Sequence, residues 1–437
     1  MIAINHVTAS KHILGGFQWL FFMFANTVVI PITIGDAFDL SAGEVAGSLQ
    51  RSFLYTGAAC VLQACFGHKY PIMEGQSGLW WGTILSLSAS ASAAGISLSD
   101  LGGALTTGIM LSGAIVLILG ALGIGNILNR LFTPVVMSTV LFLLSSQLIV
   151  IFTKGMLGFT ADGQINITMA LLSIFLIILV SFLSIKGRGI LGNFAILIGI
   201  VTGWIIYVVL FPNNAFAPAE PEIINFFPWG KPNFQIGIII MMILTGLINT
   251  TNTIAAIKGA EPLLRSSTYD RQYRRSFVLT GINSIISGLF GLVPYAPYIS
   301  SIGFLQSTRI TALGPFILGG ILFMILGLVP VLGHFFSTMP ISVGDAVLFV
   351  AYLQLFGGAL SNLKGLQFSS RTIYRIAAPV LLGISIMNLP AQMFLSIPIL
   401  VRPLLSNGLI MGILTAIILE NIVNWEKVDT VLLKHDD

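Results

Sequence analysis

Between two apolar runs lies Y-P-I-M-E-G-Q-S-G-L-W-W, Tyr70–Trp81. Glu74 could exchange a proton there, and Gln76 and Ser77 could donate and accept hydrogen bonds. Pro71, Gly75 and Gly78 favour extended, non-helical backbone. Lipid cannot satisfy the N–H and C=O groups of such a segment, so at membrane depth it must line a cavity or be buried in protein. A half-helix starting near Gly78 would turn its positive N-terminus into that cavity. A carboxylate at this depth is functional by default. The competing reading is structural, with Glu74 hydrogen-bonded to N–H groups freed by the broken backbone.

A second broken stretch, P-Y-A-P-Y-I-S-S-I-G (Pro294–Gly303), contains Tyr298, Ser300 and Ser301. It follows an internal repeat: R-S-F-L-Y-T-G (Arg51–Gly57) recurs as R-S-F-V-L-T-G (Arg275–Gly281), and Phe66-Gly67 recurs as Phe290-Gly291. Two interrupted apolar segments at corresponding places in two halves point to a transporter's binding site. Asn249, Thr250, Thr251, Asn252 and Thr253 form a polar patch within another apolar run. Five polar residues in a row cannot all face lipid at low cost, and Asn249 shares a helix face with Asn252 and Thr253. They read as a cavity-facing cluster. Gln18 and Asn26 are amides in the first apolar run. Gln18 either bonds a neighbouring helix or holds a ligand that needs both a donor and an acceptor, as a nucleobase edge does.

The elements that position these residues follow from composition. The 437 residues are 56% hydrophobic and 8% charged, with mean hydropathy +0.96. Soluble domains carry about 25% charged residues, so the chain reads as an all-α polytopic membrane protein. Runs of the length that spans a bilayer number fourteen, at about 14–35, 45–66, 71–94, 101–123, 132–152, 168–186, 190–211, 234–257, 276–293, 295–308, 312–332, 340–359, 373–389 and 403–424. The third and tenth are the irregular ones. With the N-terminus inside, only Arg51, Lys154, Lys231 and Arg402 of the 20 basic residues fall outside, as the positive-inside rule requires. Both termini are expected in the cytoplasm.

Other classes find little support. Net charge of +4 on a chain this apolar does not indicate nucleic acid. Cys60 and Cys65 lie in one apolar run without a CxxC pair or nearby histidines, so neither a disulfide framework nor a metal site is expected. No cleavable signal is read at Met1–Lys11. No cofactor loop or nucleophile–His–acid set suggests an enzyme, and no ring of repeated filter residues suggests a channel. Asp345, just after Pro340, is left open between structure and function.

S-S-I-G-F-L-Q-S-T-R (Ser300–Arg309) resembles the signature of the nucleobase–cation symporter-2 family, the nucleobase–ascorbate or xanthine/uracil permeases. Gly303, Thr308 and Arg309 match it, whereas Ser300 and Ser301 depart from its first two positions. Gln18 matches the family's Gln-His motif, with Trp19 replacing His. Asn249 stands where the family usually carries a base-binding glutamate. The resemblance covers essentially the whole chain and is nearest to a bacterial purine-permease subgroup.

The resemblance implies two inverted seven-span repeats, with short strands in spans three and ten. A core domain would comprise residues 1–125 and 233–335, and a gate domain residues 126–212 and 336–437. A purine nucleobase such as xanthine, hypoxanthine or urate would bind at the crossing and enter with a cation, commonly a proton, through the plasma membrane. A homodimer is common in this fold. Gln18, Glu74, Gln76, Ser77, Asn249, Asn252, Tyr298, Ser300 and Ser301 are the candidate substrate residues. With the span-eight glutamate missing, Glu74 is the candidate for proton coupling. The alternatives are a pyrimidine permease, such as one for uracil, or an anion transporter of a related fold, against which Glu74 argues. The charge distribution is testable by itself: a cysteine at Lys434→Cys should resist a membrane-impermeant thiol reagent applied to intact cells, and labelling from outside would reverse the topology.

Overall fold

A computed structural model describes residues 9–92, 95–123, 131–158, 164–212, 222–367, 369–398, 400–423 and 425. In chain order the elements are α1 (Ala9–Thr27), α2 (Val29–Ala37), α3 (Ala42–Cys65), β1 (Glu74–Gln76), α4 (Gly78–Ala91), α5 (Leu98–Leu122), α6 (Pro134–Leu157), α7 (Ile167–Lys186), α8 (Ile190–Asn193), α9 (Ala195–Leu210), α10 (Ile236–Leu264), α11 (Asp270–Phe290), β2 (Tyr295–Pro297), α12 (Ser300–Thr308), α13 (Leu313–Leu328), α14 (Pro330–Ser337), α15 (Ile341–Asn362), α16 (Ser370–Met387), a 3-10 turn (Ala391–Phe394), α17 (Arg402–Leu405) and α18 (Gly408–Ile422).

Local signals set many of these limits. Ser41 and Glu44 form a reciprocal capping box at the start of α3, which satisfies N–H groups that the helix itself cannot. Ser97, Thr133, Asn166 and Asn407 cap α5, α6, α7 and α18 in the simpler way. α11 ends at Gly291, whose φ of 60° is the left-handed conformation that favours glycine.

Each of the fourteen apolar runs contains helix among its described residues, but they are not alike, and the third and tenth also hold β1 and β2. Among the described residues six helical stretches, one of them α1 and α2 taken together over His12–Ala37, are long and apolar enough to cross a bilayer, or up to seven if the pair α12–α13, bent by 120°, counts as one. The others fall short for identifiable reasons. α4 has 14 residues because β1 takes up the preceding part of its run. α9, α13 and α18 have 16, 16 and 15. α3 and α11 are long, with 24 and 21 residues, but carry Glu44, Arg51, Asp270, Arg271, Arg274 and Arg275.

Packing pairs the helices in a repeating manner. α11 lies along α5, and α3 lies along α13. A Cβ on Gly281 would stand 2.6 Å from the Leu117 nitrogen and 2.7 Å from the Gly113 oxygen. A Cβ on Gly57, the same place in the sequence repeat, would run into the Gly320 oxygen and stand 2.8 Å from the Met324 nitrogen. Small residues permit this backbone approach. α1 joins the group through Trp19, whose ring meets Phe304 at 4.5 Å and Phe316 at 4.8 Å between centroids. Elsewhere α6 packs on α15 and α18, α16 on α18, and α7 on α15 and α9.

The strands sit where the broken runs meet. β1 pairs antiparallel with β2 in the register Glu74↔Pro297, Gly75↔Ala296 and Gln76↔Tyr295. Ser77 N donates to Pro294 O at 2.8 Å and Tyr298 N to Met73 O at 2.8 Å, which extends the ladder beyond both ends.

The close approach of α11 to α5 gives a direct test. Gly281→Val should destabilise the folded protein by about 1–3 kcal/mol, the usual penalty for overpacking, and lower its melting temperature in detergent. Gly57→Val should do the same on α3. Melting at the wild-type temperature would show that neither contact is tight.

Candidate functional site

β1 presents its side chains alternately, as any strand must. Glu74 and Gln76 point back toward α3 and α11, and Gly75 lies on the other face against the Tyr298 ring. Glu74 is fully buried. Its Oε1 accepts a hydrogen bond from Thr280 Oγ1 at 2.8 Å, while Oε2 has no partner. Gln63 and Asn283 lie beside the carboxyl. Gln63 Nε2 donates to Thr280 Oγ1 and to Ser276 O, both at 3.3 Å. The Glu74 backbone is tied to Cys60 in both directions, with N to Sγ at 3.3 Å and Sγ to O at 3.4 Å. Gln76 Nε2 donates to Ser52 Oγ at 3.2 Å.

The threonines of the sequence repeat cross over at this point. Thr280 on α11 bonds Glu74 of β1, and Thr56 on α3 lies 3.2 Å from the Tyr295 hydroxyl of β2. Each copy of R-S-F-x-x-T-G therefore holds the other copy's strand.

On the opposite side of the strands lies a cavity of about 540 Å³. Ser77, Gly78 and Leu79 bring the start of α4 to it, and Ala296, Pro297 and Tyr298 bring β2. Phe22, Phe304 and Tyr352 provide aromatic walls. The first N–H groups of α4 have no partner within the helix, and the helix dipole favours a partner carrying negative charge or an electron-rich oxygen. From this level the cavity runs to Ser184, Gly187 and Ser307, at the helix ends beside Lys186, Arg188 and Arg309. Toward the opposite ends, Phe336 closes against Phe24 and Phe53, at 4.7 and 5.8 Å between centroids, and Phe335 against Trp204 at 4.6 Å.

The sequence candidates other than Gln18 fall into three positions. Ser77, Asn252, Tyr298 and Ser300 line the cavity. Asn249 and Ser301 stand directly behind that lining. Asn249 Oδ1 accepts from Ser77 Oγ at 2.6 Å and Asn252 Nδ2 at 3.1 Å, and its Nδ2 donates to Tyr295 O at 3.0 Å. Ser301 Oγ accepts from Met73 N at 3.0 Å. Glu74 and Gln76 form the polar layer behind the strands. Gln18 is not part of the cavity wall: it is half-buried on α1, with its Oε1 enclosed and unpartnered. The amide that α1 does contribute is Asn26, whose Nδ2 donates to Phe22 O at 2.8 Å. Tyr352 and Gln354 of α15 also line the cavity; the sequence reading did not single them out, because aromatic and amide residues in a late apolar run carry no distinguishing spacing. Among the described residues no group of three or more His, Cys, Asp or Glu could hold a metal ion.

Comparison with known proteins identifies the family of the chain. The Permease family model Xan_ur_permease matches residues 10–392. The chain is 28% identical over 432 residues to "Putative purine permease YwdJ" of Bacillus subtilis, covering 95% of this chain and 97% of that one. It is 26% identical to the uric acid permease PucJ of the same organism, covering 92% and 90%. Among solved structures, the transmembrane domain of the cyanobacterial bicarbonate transporter BicA superposes with a TM-score of 0.64 at 17% identity, covering 95% of this chain and 98% of that one. That likeness shows a shared fold.

Asn249 joins α10 to β2 and to the first residue before α4, so its removal leaves several buried groups unpaired. Asn249→Ala should destabilise the protein by about 1–3 kcal/mol, read as a lower denaturation midpoint. An unaltered midpoint would show that Ser77, Asn252 and Tyr295 find other partners.

Proposed function

Because the chain belongs to the xanthine/uracil permease family, a multi-pass membrane family of transporters and not enzymes, we propose that it is a secondary active transporter for a purine nucleobase driven by protons. The observation that carries this reading is the cavity at the strand crossing. It combines flat aromatic walls, the free N–H groups at the start of α4 and the Asn252 amide. A xanthine-, hypoxanthine- or urate-type ring presents flat faces to aromatic walls and carbonyl oxygens to N–H donors. The names of the relatives point to the same substrate class.

In this reading fourteen crossings form two inverted repeats. The group of α1, α3, α5, α11 and α13 belongs to a core of residues 1–125 and 233–335, and the group of α6, α7, α9, α15, α16 and α18 to a gate of 126–212 and 336–437. The glycine contacts that recur at Gly57 and Gly281 support the duplication. With both termini in the cytoplasm of a plasma-membrane protein, the cavity opens inward and the Phe24, Phe53 and Phe336 cluster closes the outer side. Ser77, Asn252, Tyr298 and Ser300 touch the base. Asn249 and Ser301 hold them in place, Gln76 fixes β1 to α3, and Gln18 acts through the packing of α1.

Glu74 carries the coupling proton. Among the described residues it has no ion pair, so a bare carboxylate in this buried layer lacks the partner that would offset its desolvation. It reaches the base only through the strand backbone and Ser77. A coupling ion must interact differently with the two transport states, and a proton on Glu74 can do so if strand packing changes between them.

Two experiments test the proposal. Uptake by the protein in vesicles should rise at lower external pH for xanthine, hypoxanthine or urate; uptake confined to uracil or to bicarbonate would replace the substrate assignment. Glu74→Gln should keep base binding and base exchange across the membrane. It should lose accumulation against a gradient, together with the pH dependence of uptake. Accumulation with the wild-type pH profile would move coupling to another residue, of which Asp345 is the next acid to test.

A further inference from the structure

On the side of the basic loop, a second hollow of about 710 Å³ lies between the last turns of α5 and the first turns of α11. Three guanidinium groups line it, those of Arg271, Arg274 and Arg275, against the single carboxylate of Asp270. Arg274 donates to the carbonyl of Ala121 near the end of α5 and is thereby held across the hollow. Arg271 is exposed and Arg275 half-buried, and among the described residues neither makes an ion pair.

The floor changes character along the helix. Residues three and four apart share a face, so Arg271 and Arg275 continue into Val278 and then Ile282, which is 37% exposed. Phe66, 63% exposed just after α3, borders the same hollow. A cationic rim at the first turns of α11, opening onto an exposed apolar strip, complements a molecule with an anionic head and hydrocarbon tails. Guanidinium forks suit phosphate oxygens, and basic pockets between membrane helices on the cytoplasmic side bind anionic lipid headgroups.

We infer that this hollow is a binding site for an anionic phospholipid, its phosphodiester between Arg271 and Arg275 and an acyl chain over Phe66, Val278 and Ile282. The site is separate from the cavity at the strand crossing and shares no residue with it. A free phosphate ion would satisfy the arginines but leave the apolar strip uncovered, which is why a lipid is the occupant.

The test uses the full chain purified in detergent. Phosphatidylglycerol should raise its melting temperature and persist in native mass spectra. Phosphatidylcholine with the same chains, or inorganic phosphate alone, should do neither. The double variant Arg271→Gln/Arg275→Gln should lose the phosphatidylglycerol shift while melting without lipid near the wild-type temperature. The single variant Arg271→Gln, at an exposed position, should show a reduced shift and guards against misfolding of the double variant. No shift in the wild type, an equal shift from phosphatidylcholine or phosphate, or an undiminished shift in both variants would overturn the assignment.

Discussion

A peptide group without a hydrogen-bond partner is costly in hydrocarbon, and two extended segments in the middle of this molecule create several at once. Their solution is mutual. β1 and β2 pair only with each other among the described residues, and the bonds from Ser77 to Pro294 and from Tyr298 to Met73 complete the ladder. The outer edges are then covered by side chains: Cys60 and Ser301 serve β1 and the residue before it, and Asn249 serves β2. Much of the unusual composition of α3, α10 and α11 follows from this requirement. Helices that must present Thr56, Cys60, Asn249 and Thr280 to backbone or strand groups cannot be uniformly apolar.

That requirement also explains what could be read from the sequence. Proline and glycine spacing located both breaks and the start of α4, because backbone restrictions are local. The recurrence of R-S-F-x-x-T-G indicated two related halves. Its meaning was not legible, since nothing local says that Thr280 reaches β1 or that Thr56 reaches β2. For the same reason the sequence could not sort the polar residues into layers. Asn249 and Asn252 share a helix face, yet Asn252 lines the cavity while Asn249 is consumed by three hydrogen bonds. Gln18 and Asn26 are two amides on one helix about two turns apart, and only Asn26 reaches the cavity. Such differences depend on helix rotation relative to neighbours, which a single periodic sequence leaves undetermined.

The heavily engaged Asn249 bears on the wall of the cavity. A side chain whose oxygen accepts two bonds and whose nitrogen donates one has little capacity left for a ligand, but it fixes the direction of the hydroxyl and amide that remain at the wall. If the cavity holds the base as proposed, recognition rests on backbone N–H groups and on oriented neighbours, with a rigid layer behind the wall limiting how far these can reorganise. The close glycine contacts of α3 with α13 and of α5 with α11 extend that rigidity outward.

The three-residue ladder has one more property. Alternation along a strand has a period of two, and the face carrying Glu74 and Gln76 is the one away from the cavity. Shifting the pairing by a single position would turn Glu74 into the aromatic-walled cavity and a small residue into the polar layer. A shift by two would restore the faces but break the match to Thr56 and Thr280. The chain between Gly67 and Met73, and between Gly291 and Pro294, is therefore more tightly constrained in its count than in its chemistry. Over evolutionary time these connectors can exchange side chains freely compared with gaining or losing a residue, so insertions and deletions should be rarer there than substitutions.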